Sequence, residues 1–279
     1  MICWMFPGQP LRHAPFASSN DNGEIISLCQ KISGFDPSTW QENVCLPSEH
    51  VRLQLYGTAT SLCRTRQLRT TGRPPDLVIE HSMGIYASLA ACGSISEYES
   101  AEMTFRVGNV LARMSQKKTY AFGCVIGLAC TPVETAASNH CVFVANYNTP
   151  CHHLLAGERS GIVSALEECA ASGAFSVSLF ECDAPLHTPL LEDAAAELSH
   201  IFSDYSYGEP TVPLIEHIGQ KRLNAASIRP FLLDELLQPV RWHRSYTAAC
   251  RFGSRSFIEV GAGDALKKFN RWIDSQVQT

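Results

Sequence analysis

Leu77-Val78-Ile79-Glu80-His81-Ser82-Met83-Gly84 sets a short apolar run directly against a serine turn, and the alanine- and leucine-rich residues 86–92 follow it. An apolar run of this length between turn signals reads as a buried strand. A sharp turn from strand into helix lifts its serine above the sheet edge, where backbone N–H groups at the helix start can receive an oxyanion. Ser82 is therefore the candidate nucleophile. The usual elbow is G-x-S-x-G; here Glu80 stands at the first glycine position, so the motif is S-x-G plus its strand and helix context.

Upstream, Thr71-Gly72-Arg73-Pro74-Pro75 is a clear break before the strand at 76–79, and helical spacing is weak across 26–61. Residues 2–6 read as a second short buried strand ended by Pro7-Gly8, and the polar residues 10–25 as an irregular loop over the active face. Downstream, 97–115 has the apolar periodicity of a helix. From Lys118 the texture changes: strand 120–128, helix 132–138, strand 141–145, a strand-like stretch at 153–156, helix 160–172 and the alternating strand 175–180. That β-α-β-β-α-β order is the signature of a ferredoxin-like unit. The expected fold is α/β: a large α/β-hydrolase-like domain with a mostly parallel sheet (1–117 and 183–279), carrying an inserted ferredoxin-like subdomain (118–182). The closing section is expected to hold a helix at 190–201, a strand near 211–215, a helix before Pro239 and a strand at 257–260 that ends on Gly261-Ala262-Gly263.

The 279 residues suffice for one large domain with such an insert. With 22 Lys+Arg against 27 Asp+Glu, no global positive charge recruits nucleic acid or an anionic membrane. Twelve cysteines are scattered from Cys3 to Cys250 without a C-x-x-C pair, which argues for reduced, mostly buried thiols over structural zinc or a disulfide framework. Met1 to Phe6 is apolar but lacks a basic start and is cut short by Pro7-Gly8, too early for a signal peptide. No run is long enough to span a bilayer. A cytoplasmic, metal-free protein is the expectation.

A serine nucleophile needs a base for its proton and donors for the tetrahedral intermediate. His81 adjoins Ser82 in a tight turn, where successive side chains diverge, so it reads as a packing or backbone-bonded residue. His187, in Ala184-Pro185-Leu186-His187-Thr188-Pro189, lies in a loop stiffened by prolines that opens the next helix, and fixed position is what a general base requires.

Several blocks now converge. Phe6-Pro7-Gly8-Gln9, His81-Ser82-Met83-Gly84 with Tyr86, Arg106, Asn146-Tyr147-Asn148-Thr149-Pro150, Pro185-Leu186-His187, Gln238-Pro239-Val240-Arg241-Trp242 and Glu259-Val260-Gly261-Ala262-Gly263 occur in that order along nearly the whole chain. Together they resemble the malonyl-CoA:acyl carrier protein transacylases of fatty acid and polyketide synthesis. The resemblance implies that Ser82 takes the acyl group from CoA as an ester and that His187 serves as base and then acid. It implies that His187 is oriented by a backbone carbonyl from about 235–238, so no triad aspartate is needed. Gln9 and the N–H of Met83 match the oxyanion hole. Arg106 matches the arginine that pairs bidentately with the free malonyl carboxylate, Arg113 being the lesser candidate on the same helix. Asn148 matches a position near the cleft, and Leu186 one where acyl size is sensed. No permanently bound cofactor is implied, the CoA thioester being a substrate. The implied partners are malonyl-CoA and an acyl carrier protein, and the chain is expected to be a monomer. Taken alone, Gln9 reads as a polar turn residue, Arg106 as a solvated helix arginine and Asn148 as turn chemistry.

The chain departs from the family in places. Gln9 is followed by Pro10-Leu11-Arg12 instead of a glycine, a serine and a second glutamine, and His152 replaces a glutamine after the asparagine block. Leu186 is bulky and argues against branched acyl groups. Glu80 puts a carboxylate two residues before the nucleophile, to be accommodated by a widened turn, by solvent, or at the cost of perturbing His187. An acyl hydrolase on the same scaffold and a non-catalytic, carrier-binding relative are the alternatives to the transferase.

Overall fold

The computed structural model describes residues 1–16, 22–40 and 46–277. Residues 17–21 of the expected loop lie outside the described residues. From the N-terminus come β1 (Ile2–Phe6), α1 (Asn22–Ser33), α2 (Glu49–Thr70), β2 (Leu77–Glu80), α3 (Gly84–Ala91) and α4 (Glu97–Met114). Then follow β3 (Tyr120–Ile126), α5 (Cys130–Asn139), β4 (Phe143–Thr149), β5 (His152–Glu158), α6 (Arg159–Ala171) and β6 (Ser176–Cys182). A 3₁₀ turn (Pro189–Ala194), α7 (Ala195–Ser203), β7 (Leu214–Ile215), α8 (Ala225–Leu237), α9 (Trp242–Arg251), β8 (Ser256–Glu259) and α10 (Ala265–Val277) complete the chain.

Four strands make a parallel sheet in the order β7-β2-β1-β8. A parallel sheet is covered on both faces, which is why its strands read as continuous apolar runs. The alternation along β1 shows the two sides: Trp4 and Phe6 enter the core built with α2, α3, α4, α7 and α8, while Cys3 and Met5 enter a second core with Trp242, Tyr246 and Ala249 of α9 and Leu266 and Ile273 of α10. Burying each such large side chain stabilises by roughly 1.5–3 kcal/mol. The register pairs Phe6 with Glu80 and Met5 with Glu259, so the carboxyl ends of three strands meet at one edge of the sheet. Ligands of open parallel sheets bind at that edge.

The second sheet, formed between α4 and the 3₁₀ turn, runs β4-β5-β3-β6 and is wholly antiparallel, with α5 and α6 packed on it around Val125, Leu155, Ile162 and Leu166. This is the ferredoxin-like arrangement expected from the element order. It touches the rest of the molecule where Tyr147 and Val240 exchange backbone contacts: Tyr147 N–H donates to Val240 O (2.8 Å) and Val240 N–H to Ala145 O (2.9 Å).

Five elements differ from expectation. The weak spacing across 26–61 conceals α1 and most of α2. Between Val51 and Leu68, α2 buries residues on all its faces against α1, α3 and α4, so no polar stripe marks its period. No helix is expected from the sequence at α9 or α10, although Trp242, Ser245, Tyr246 and Ala249 make an i, i+3, i+4, i+7 stripe. Residues 211–213 precede the strand, which is only Leu214–Ile215. By contrast α4 starts as its sequence dictates, on a reciprocal capping box between Ser96 and Glu99. Among the described residues no helix is long and apolar enough to cross a membrane.

Candidate active site

Ser82 occupies the turn between β2 and α3 with φ +56°, a left-handed conformation that is uncommon for a residue with a side chain and costs about 1–3 kcal/mol. The surroundings enforce it. His81 N–H donates to Phe6 O (2.9 Å), Gly84 N–H to His81 O (3.1 Å) and Ile85 N–H to Ser82 O (3.0 Å). A Cβ on Gly84 would lie 2.4 Å from Phe6 O, so only glycine lets α3 start this close to the end of β1. On the other side the Pro7-Gly8 loop presses on the turn, a Gly8 Cβ falling 3.3 Å from Ser82 Cβ.

His187 is brought to Ser82 from 105 residues away, with Nε2 2.7 Å from Ser82 Oγ. Its Nδ1 lies 2.6 Å from the backbone oxygen of Glu235. A carbonyl can only accept, so Nδ1 carries the proton and Nε2 is left to accept from the serine hydroxyl. The backbone is fixed as well: His187 has φ +62° and its N–H donates to Leu236 O (2.8 Å). Burial first, and then the neighbouring His217, push this imidazole down to about 3, so it is neutral across the physiological range. The expected carbonyl orienter is thus in place, at the first residue of the 235–238 segment.

At the start of α3 the Met83 N–H has no intramolecular acceptor among the described hydrogen bonds, as the first donors of a helix commonly do not. The Gln9 side chain does not face this point: its Nε2 donates to His50 Nδ1 (3.0 Å) and its Oε1 accepts from Gln54 Nε2 (3.1 Å). Of Gln9, only the backbone N–H is available to an oxyanion.

A cavity opens beside Ser82, lined by Met83, Tyr86, Val107, Leu111, Leu186 and Leu236 together with Gln54, Thr104 and Glu235. Leu186, which the resemblance placed where acyl size is sensed, is one of the lining residues. Arg106 is not among the lining residues. Its guanidinium pairs with Asp204 (2.5 Å), donates to the Tyr205 hydroxyl (3.3 Å) and lies over that ring. The resemblance implied that Arg106 meets the acyl carboxylate; here its guanidinium is engaged with Asp204 and Tyr205. α4 turns Thr104, Val107 and Leu111 to the cavity, and Arg106 sits about 100° round the axis from Val107. Asn148 is also placed differently. It is buried, with Oδ1 accepting from His81 Nε2 (2.9 Å) and Nδ2 on His152 Nδ1 (3.1 Å), so it fixes the histidine beside the nucleophile and is absent from the cavity wall.

Glu80 takes none of its three foreseen exits in full. It is fully buried, and the turn is not opened to water. Its carboxyl meets His217, with Oε1 3.0 Å from the backbone N and both oxygens 2.8 Å from Nδ1. His217, Val107 and the side chain of Glu235 are what sequence reasoning missed at the site. Thr104, Val107 and Leu111 at i, i+3 and i+7 were a readable stripe; the other two carry no local signal. His187, His217 and Glu235 offer three donor atoms within 4.8 Å of one another. Tetrahedral zinc, with bonds of about 2.0 Å, spaces its donors about 3.3 Å apart. This set is looser, and Nδ1 and Nε2 of His187 are both engaged, so no metal centre is assigned to it.

The chain matches the acyl transferase domain family over residues 46–268. It is 28% identical to the malonyl CoA-acyl carrier protein transacylase of Escherichia coli K12 over 207 residues, 72% of this chain and 67% of that one. The polyketide biosynthesis malonyl CoA-acyl carrier protein transacylase BaeC of Bacillus velezensis is 22% identical, covering 95% of this chain and 94% of its own. The solved MCAT of Streptococcus pneumoniae superimposes with a TM-score of 0.86 at 25% identity, covering 99% of this chain and 93% of that one. With a serine elbow at the sheet edge, a histidine oriented by a carbonyl and a match across most of its length, the chain belongs to the acyl transferase domain family.

Proposed function

We propose that this chain transfers a malonyl group from CoA to the phosphopantetheine thiol of an acyl carrier protein, by way of an ester on Ser82. The observation that carries the reading is the 2.7 Å contact between Ser82 Oγ and His187 Nε2, in the tautomer that accepts the serine proton. The relatives' names supply the donor and the acceptor. Ser82 Oγ attacks the thioester carbonyl while its proton passes to His187 Nε2. The oxyanion is received by the N–H groups of Met83 and Gln9, each such donor being worth about a hundredfold or more in rate. Collapse expels the CoA thiolate, which takes the proton from His187. The carrier thiol then repeats the sequence in reverse.

A second reading concerns the acyl group, and the cavity wall favours it. Among the described residues no lysine or arginine lines the cavity; Val107, Leu111, Leu186 and Leu236 are apolar, and the Glu235 carboxyl is held well above its usual range by burial. The Arg106–Asp204 pair is partly exposed and screened by solvent. A small uncharged acyl group such as acetyl fits this wall without leaving a carboxylate unpaired.

Both readings meet one assay. Protein, malonyl-CoA or acetyl-CoA, and a holo carrier protein are combined, and the carrier is weighed by intact mass. Malonyl-carrier supports the first reading, a preference for acetyl the second, and free acid without acyl-carrier makes the chain a hydrolase. No turnover of either thioester refutes the transferase.

A further inference from the structure

Behind His187 lies a cluster of buried groups for which the transfer mechanism has no use. Glu80 and His217 are fully buried and bonded to each other through ring and backbone. The His217 ring stands edge-on to that of His187, centroids 6.0 Å apart at 88°, with Phe231 against its other side at 5.6 Å. Among the described residues its Nε2 has no hydrogen-bond partner, and neither has Glu235 Oε2, although both are buried and belong to the same group around His187. A buried donor or acceptor left without a partner is destabilising. One hydrogen bond or one bridging water between the two atoms would satisfy both.

We propose that Glu80 and His217 are positioning residues, an uncharged hydrogen-bonded pair wedged against the catalytic imidazole that braces it toward Ser82 and links it to the carboxyl of Glu235. Hydrogen bonding decides the form of the pair. With Glu80 protonated, one oxygen accepts the His217 backbone N–H and the hydroxyl donates to Nδ1, and the ring then carries its proton on Nε2, the orphaned atom, for Glu235 Oε2 to accept. The opposite choice buries a carboxylate without a counter-charge. Burial, then Glu216, raises Glu80 well above the carboxylate range, and burial lowers His217 to about 3. The titratable groups facing His187 are His217 beyond β7, His81 after β2 and Glu235 of α8; behind them stand Glu80 of β2, Glu216 beyond β7 and Tyr86 of α3, whose hydroxyl points to Glu235 Oε1 at 3.5 Å. The Glu80 position, a departure from the usual elbow glycine, thus becomes a support of the base.

The inference rests on Ser82 and His187 forming the reacting pair. Its test is the pH dependence of Ser82 acylation in wild type, His217→Asn, Glu80→Ala and Glu80→Gln, with the His187 imidazole titrated in parallel by NMR. The amide introduced by Glu80→Gln reproduces a protonated carboxyl, accepting from the backbone N–H and donating to Nδ1. His217→Asn and Glu80→Ala are expected to move the acid limb and the imidazole midpoint upward by about tenfold in proton concentration or more, and Glu80→Gln to restore both to the wild-type position. A midpoint unmoved in His217→Asn would reduce the pair to packing. A Glu80→Gln variant that behaves like Glu80→Ala would show that a charged carboxylate is required, overturning the uncharged form. The NMR titration needs no turnover, so a wild type that takes no acyl group refutes the transferase while this test still reads.

Discussion

The two sides of the cavity follow different rules. On the reaction side, the end of β2, the start of α3 and the loop carrying His187 are fixed by backbone: two residues at positive φ, a glycine that admits Phe6 O and a carbonyl that selects the tautomer. On the cavity side, the wall includes side chains from α4 and from the residues flanking His187 and Glu235, and Val107 lines it while the adjacent Arg106 does not. Chemistry held by backbone survives substitution of most neighbours; selectivity held by one helix face does not. A family match therefore says more about the first side than about the second.

The largest expected effect lies on the reaction side. Ser82→Ala should abolish acyl loading and lower turnover by about four orders of magnitude or more, and His187→Ala by about 10²–10⁴-fold, measured as acyl-carrier formed per minute. Turnover in Ser82→Ala within tenfold of wild type would break the comparison at its stronger half. On the cavity side, Val107→Arg should raise the malonyl-to-acetyl ratio about tenfold or more, because a charge-assisted bond to a carboxylate is worth about 1.5–3 kcal/mol. An unchanged ratio would mean that α4 does not face the acyl group.

Acid stability sharpens the contrast, because the buried histidines crowd the reaction side. His187 is held at about 3, and His81 and His152 at about 4, in each case chiefly by burial. Below 6.5 the unfolded chain binds protons on them that the folded chain refuses, so stability falls with pH toward 4. Glu80 and Glu235 are raised, and as pH falls they return stability only down to about 4.5, where the unfolded carboxyls are protonated too. The denaturant midpoint should therefore drop most steeply below pH 4.5; a midpoint at pH 4 equal to that at pH 5 would contradict this. The smallest effect is predicted for Arg106→Ala: a malonyl-to-acetyl ratio within about twofold of wild type and a denaturant midpoint close to that of wild type. A large collapse of malonyl loading would return Arg106 to the acyl group.

What could be read from sequence divides along the same line. The strand–serine–helix turn and the β-α-β-β-α-β unit are local patterns, each legible from its own residues, and the carbonyl behind His187 was legible through the ordered blocks of the family. The surroundings of Arg106 were not legible, because a helix position shows its face only when the partner surface is known; it pairs with Asp204 while Val107 next to it lines the cavity. α2 hid its period by being buried all round. The Glu80–His217 pair joins residues 137 apart in sequence across the β2–β7 contact, so nothing local announces it. An unusual residue at Glu80 was visible; its partner was not.

The central claim is that Ser82 carries the acyl group. Wild type incubated with malonyl-CoA or acetyl-CoA without carrier, quenched in acid and digested, should yield the peptide containing Ser82 heavier by one acyl group, and holo carrier added before the quench should remove it. An adduct on another residue, or one that persists in Ser82→Ala, would contradict the account.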